Sequence, residues 1–179
     1  FDADKKQYNL AIAYQCFGYI YTEIGEFEQA IKSLNIAIDY AKNSNYQAGI
    51  LIITLYKLDA LTLSNEFEEI HEDIKADIHK FLNEDYNDYF CFEYIARYYR
   101  LIGEFKEAEK AIENGLEKIH HNPVAMASLW HERARLALVL DDPNGEKQYR
   151  EKGNQIYKNI GSNKRVIEKV IPEYGEVFL

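Results

Sequence analysis

Residues 24–31 read IGEFEQAI, and residues 102–109 read IGEFKEAE, 78 positions further on. Near the midpoint, residues 64–70 (SNEFEEI) supply a weaker third copy. Repetition over such a distance points to an array of similar supersecondary units. Aligning on these turns gives steps of 40 and 38 residues, and a further step of 38 reaches Trp130. Tyr14, Thr54, Phe92 and Trp130 then form one column; Gly18, Leu58, Ala96 and Ala134 form the next; Tyr21, Leu61, Tyr99 and Ala137 form a third. Spacings of four and then three residues put each set on one face of a helix. Large, small, large is the order that lets a neighbouring helix approach at the small residue while bulky ones fill the flanks. After the turn the same logic returns in Phe27, Phe67 and Phe105; Ala30, Ile70 and Ala108; Leu34, Ile74 and Ile112; and Ile38, Ile78 and Leu116.

Each unit therefore reads as helix, short turn, helix. Helices are predicted at about 5–24, 27–43, 46–64, 66–82, 85–102, 105–120, 123–140, 146–160 and 163–171. Gly25 and Gly103 stand where a helix C-terminus takes a left-handed residue, and Asn65 and Asp141 are residue types that tolerate the same conformation. Asn122 followed by Pro123 is a helix start, with Asn at the cap and Pro at the first position. The expected fold is all-α, an α-α superhelix of about four helix pairs (units 5–43, 46–82, 85–120 and 123–160) closed by a capping helix at 163–171.

Composition narrows the class from the other side. Of 179 residues 47% are hydrophobic and 14% aromatic, enough apolar surface to offset chain entropy, so the chain is not disordered. Three prolines leave few breakers for a fold of many tight turns. Cys16 and Cys91 match neither a disulfide framework nor a zinc cluster, which suggests a reducing, cytoplasmic setting. The longest nearly apolar run, residues 48–56, falls far short of the ~20 residues a spanning helix needs, so no membrane is expected. A net charge of −9 argues against direct nucleic-acid binding. The start at Phe1 reads as a segment of a longer protein.

The columns resemble the tetratricopeptide repeat, through Tyr14, Phe17, Gly18, Tyr21, Gly25, Phe27, Ala30, Leu34 and Ala37 in the first unit. In the third unit Phe92, Ile95, Ala96, Tyr99, Gly103, Phe105, Ala108 and Ile112 carry the likeness. The second is weaker, with Thr54, Lys57 and Leu58 at the pattern positions, and the fourth keeps Trp130 and Ala134 before slipping out of register after Pro143. Units longer than the standard repeat resemble the extended-helix variant of bacterial signalling proteins. Residues 134–161 are similar to closing repeats of sensor arms in bacterial transcriptional activators and signalling ATPases. The resemblance implies a protein- or peptide-binding scaffold, part of a signalling or transcription-regulatory protein, without catalysis or cofactor. An alternative is a peptide-pheromone receptor whose repeats change superhelical pitch on binding. Self-association as a homo-oligomer remains open.

His71 and His79 lie eight apart, too far to share a ligand, and His131-Glu132 lacks the second His of a metalloprotease helix. Glu66, Glu68, Glu69, Glu72, Asp73 and Asp77 alternate with Phe67, Ile70, Ile74 and Ile78, as on an ordinary solvated face. No catalytic or metal-binding set emerges. Phe90, Tyr94 and Tyr98 lie off the core stripe and are candidates for contact area. Family geometry places Gln15, Tyr19 and Thr22, then Asp59, then Phe90, Glu93, Arg97 and Arg100 on the concave face as the peptide- or protein-binding residues, with Ile12, Leu55, Thr62, His131 and Arg135 beside them. The carboxylate clamp of chaperone-binding members is absent, since Gln15, Tyr19, Tyr56, Phe90 and Tyr94 occupy its positions.

Overall fold

The structure is a computed structural model and describes residues 2–66, 70, 72–84, 86 and 88–170. Among them are eight α-helices and no strand: α1 (Asp2–Glu23), α2 (Phe27–Asn43), α3 (Gln47–Leu63), α4 (Glu72–Asn83), α5 (Phe90–Leu101), α6 (Phe105–Lys118), α7 (Pro123–Val139) and α8 (Pro143–Asn159), then a single 3-10 turn at Asn163–Arg165. The chain is all-α, with consecutive helix pairs packed on each other, the arrangement from which α-α superhelices are built.

The turns between helices are copies of one another. Gly25, Asn65, Gly103 and Asp141 all have positive φ, between 59° and 81°. In each case the next residue's N–H bonds back to the core-column residue five positions before it: Glu26 to Tyr21, Glu66 to Leu61, Glu104 to Tyr99 and Asp142 to Ala137, all at 2.9 Å. This is the Schellman closure, which satisfies carbonyls the helix end would otherwise leave open. Two further helix ends use the same device at Asn45 and Gly161, with Tyr46 bonded to Ala41 and Ser162 to Tyr157.

Two compact units divide the chain just after Tyr86. In the first, α1 packs on α2, α2 on α3, α1 on α3, and α3 on α4. Its core joins Ala11, Leu34, Ala37, Ala41 and Ile53 with the partly buried Tyr14, Ile38, Tyr40, Tyr46, Ile50 and Tyr56. Gly18 is the close-approach position the columns predict, since a Cβ there would run into the Leu34 side chain. Burying a leucine such as Leu34 fully contributes roughly 2–3 kcal/mol. In the second unit α5 packs on α6, α6 on α7, α5 on α7, and α7 on α8. There the small-residue column, Ala96 and Ala134, is fully buried, and α6 crosses its neighbours at Gly115, where a Cβ would lie 2.6 Å from Leu129 Cδ1 and 2.8 Å from Phe92 Cβ.

Four boundaries differ from expectation. Helix α8 starts at Pro143 instead of about 146, because Asp142 caps it by accepting the Gly145 N–H at 2.9 Å with Pro at the first position. This repeats the Asn122-Pro123 start of α7, where Asn122 accepts from Ala125 at 3.1 Å. Helix α5 starts at Phe90, whose N–H donates to Asp88 Oδ1 at 3.3 Å. Ile70 is outside a helix, and the expected α4 start at 66 with its column residue Phe67 falls partly outside the described residues. The capping helix expected over 163–171 is reduced to the 3-10 turn; Val166 is already extended (φ −77°, ψ 123°) and no helix follows through Val170. The cause is tertiary: Asn154 of α8 takes both main-chain groups of Ile167, accepting its N–H at 2.9 Å and donating to its carbonyl at 2.7 Å. Continued helix would leave neither group free for that pair.

Candidate functional site

The residues expected on the concave face are mostly enclosed. Thr22, Asp59, Glu93, Arg97 and Arg100 are buried, as are Leu55, Thr62, His131 and Arg135, while Gln15, Tyr19, Phe90 and Ile12 are half-buried. Thr22 spends its hydroxyl on the Gly18 carbonyl at 2.9 Å, and the Tyr19 ring meets Tyr56 edge-on with centroids 6.0 Å apart. Tyr94 and Tyr98, candidates for exposed contact area, are buried instead. Of the two thiols, Cys16 is exposed and Cys91 buried.

In the second unit the structure gathers the charges of α5 and α7. Arg97 bonds Glu93 one turn earlier on α5. Arg100 Nε donates to Glu132 Oε1 at 2.5 Å, with its Nη2 3.5 Å from Oε2, and Arg135 Nη1 reaches the same Oε2 at 3.4 Å. Both partners of the Arg100–Glu132 pair are essentially without solvent contact. Burial alone pushes the Glu132 carboxyl up, but the positive charges of Arg100, Arg135 and Arg97 and the hydrogen bond from Arg100 outweigh it. The net effect holds its pKa below the ordinary 4.5. Every arginine of the chain lies in this unit, and guanidinium suits the place: it stays charged and offers several donors to one carboxylate. Chemically the cluster ties two first helices together. It offers no nucleophile beside a base.

A second polar chain links α7, α8 and the segment after them. His131, fully buried, lies 3.1 Å from Asn154 Oδ1, and Ser128 Oγ lies 2.9 Å from the Tyr157 hydroxyl. Because Asn154 presents Nδ2 to the Ile167 carbonyl, Oδ1 is the acceptor and His131 Nε2 carries the proton. Asn154→Ala is expected to free the segment beyond the 3-10 turn: the Ile167 amide should exchange with solvent at least about tenfold faster, since each lost buried hydrogen bond is worth about 1 kcal/mol or more. Hydrogen exchange read by NMR checks this.

An open concavity also lies in the second unit. Phe105, Lys106, Glu109, Lys110 and Glu113 of α6 and Leu140 after α7 line a groove of about 450 Å³. Phe105 and the half-exposed Leu140 form its apolar walls, and the exposed Lys106 and Lys110 stand on its rim. Glu109 and Glu113 are drawn away by Arg133, at 2.5 and 3.6 Å. Arg133 is itself held over the Tyr149 ring (4.9 Å) and the Trp130 ring (5.8 Å), the two rings stacking 5.8 Å apart. What is left to a visitor is an apolar slot with charged edges, of which Lys110 also lies 4.0 Å from Glu107. The sequence columns did not single out this groove, because its walls come from α6 and the end of α7 and meet only after folding.

The remaining histidines stay at the periphery: His79, His120 and His121 are exposed, and His71 lies outside the described residues, as do Glu68 and Glu69. Among the described residues no group of three or more His, Cys, Asp or Glu could hold a metal ion. No helix among them is long and apolar enough to cross a membrane. No protein-family model matches the chain, and no curated protein is significantly similar to it.

Proposed function

We propose that the chain is a non-catalytic, tetratricopeptide-like scaffold that binds a protein or peptide, as the sensor or interaction part of an intracellular bacterial signalling or transcription-regulatory protein. The observation that carries the reading is the recurrence of one Schellman turn at residue steps of 40, 38 and 38, each closing on the same core column. Arrays of this kind present long surfaces built from repeated helix faces and suit extended ligands. The occupant that fits the α6–α7 groove is a peptide with an apolar anchor for Phe105 and Leu140 and an acidic neighbour for Lys106 and Lys110. A second reading, a peptide receptor whose repeats shift on binding, draws support from the enclosed charges of α5 and α7, which an opening motion would uncover.

Selection from a displayed random-peptide library against the whole chain tests the proposal. Enriched sequences should pair an apolar with an acidic residue, and Leu140→Glu, a change at an exposed site, should weaken them at least about tenfold, the ~1.4 kcal/mol expected for losing one apolar anchor. A library that yields no binder, or binders indifferent to Leu140→Glu, contradicts it.

A further inference from the structure

Asn154 of α8 treats Ile167 as a neighbouring strand would. Its Oδ1 accepts the Ile167 N–H at 2.9 Å and its Nδ2 donates to the Ile167 carbonyl at 2.7 Å, so both bonds go to main chain and neither reads the isoleucine side chain. A carboxamide in this pose suits any extended residue, as main-chain pairing does in recognition by strand addition. The pose does not depend on Ile167. Asn154 Oδ1 also lies 3.1 Å from Nε2 of His131, which is fully buried on α7. The imidazole N–H therefore fixes which end of the carboxamide accepts and which donates, whatever segment lies against it. The segment itself is lightly held. Val166 and Ile167 are half-buried, Glu168 and Lys169 are exposed, and Val170 is the fully buried anchor. Few buried apolar contacts mark an element that opens at low cost.

We propose that Asn154 and the buried place of Val170 form a binding site for an extended peptide, filled in this structure by the chain's own residues 166–170. An incoming peptide that replaces them carries an apolar residue three positions after the one whose main chain Asn154 holds, as Val170 follows Ile167. Two main-chain hydrogen bonds and one buried valine suit a dissociation constant on the order of 1 mM for a free peptide. The tethered segment is a built-in competitor. With the 3-10 turn at Asn163–Arg165 shortening and stiffening its tether, it presents itself at an effective concentration on the order of 10 mM. The site shares no residue with the α6–α7 groove, so it goes beyond the scaffold reading and stands or falls separately from it.

NMR titration of the whole chain with a free peptide of residues 163–170 (NKRVIEKV) tests this. Ile167→Pro should empty the site: proline has no N–H to give Asn154, and Val166 already holds the extended conformation (φ −77°, ψ 123°) that a following proline requires. In that variant the Asn154 side-chain amide signals should move on adding peptide, with a midpoint on the order of 1 mM. The parent should need about tenfold more peptide, because its own segment competes. Val170→Asp removes the apolar anchor without touching the backbone and should give the same gain. Adding Asn154→Ala to either variant should abolish binding, read at the Gly153 amide. A gain in either variant that Asn154→Ala abolishes supports the proposal. Equal response of parent and variants, no saturable response from either variant, or binding that survives Asn154→Ala overturns it.

Discussion

Glu132→Gln is expected to destabilise the second unit by about 3–5 kcal/mol, the loss typical when one partner of a buried ion pair is removed. The amide preserves the shape, so the effect isolates charge: Arg100 and Arg135 would lose the carboxylate they share, in a place almost closed to solvent. Urea unfolding at neutral pH measures it. The pH dependence adds a second readout. Because the folded pKa of Glu132 lies below its ordinary 4.5, its contribution is complete above that value and is lost as pH falls through the lower folded value. The gap between wild type and Glu132→Gln should therefore be constant at neutral pH and narrow under acid. Replacing Arg100, Glu132 and Arg135 together by apolar residues of similar volume should recover much of the loss, because the three mutually interacting buried charges are then removed together.

Gly153→Ala should lower stability by about 3 kcal/mol, at the upper end for overpacking. On an open helix surface the same change would stabilise by roughly 1 kcal/mol, so even the sign is informative. At Gly153 the added methyl would lie 2.6 Å from His131 Nε2 and 2.9 Å from the Ala127 carbonyl oxygen. Backbone cannot give way cheaply, and His131 is pinned by Asn154 on one side and the Tyr157 ring, 5.4 Å between centroids, on the other. The displaced imidazole should pull Asn154 from Ile167, so the variant should also lose the exchange protection of the Ile167 amide. A thermal melt and the same exchange experiment report both.

The repeat was legible in sequence because its causes are local. Left-handed turn residues and a large-small-large spacing are written within some ten residues, and the small-residue columns and the close approach at Gly18 follow from them. Asn45 and Gly161 use the same turn but lie at the ends of second helices, outside the alignment made on the turns within units. The start of α8 was readable too, since Asp142-Pro143 is the signal recognised at Asn122-Pro123. The end of the chain was not: Val166, Ile167 and Val170 have helical spacing, and the carboxamide that extends them comes from Asn154, 13 residues before Ile167. Arg97 and Arg100 read as binding residues of the concave face because the family geometry puts their positions there, and that geometry does not show what packs over them. The residue that encloses Arg100 with it, Glu132, is 32 positions away on another helix, and no spacing rule connects the two.

Deuterium exchange with and without a selected peptide tests most directly whether a binding surface is built on this repeat. The account predicts added protection confined to the groove, in residues 105–113 of α6 and around Leu140, with none in α1. Protection spread evenly over the chain, or centred away from that groove, would contradict it.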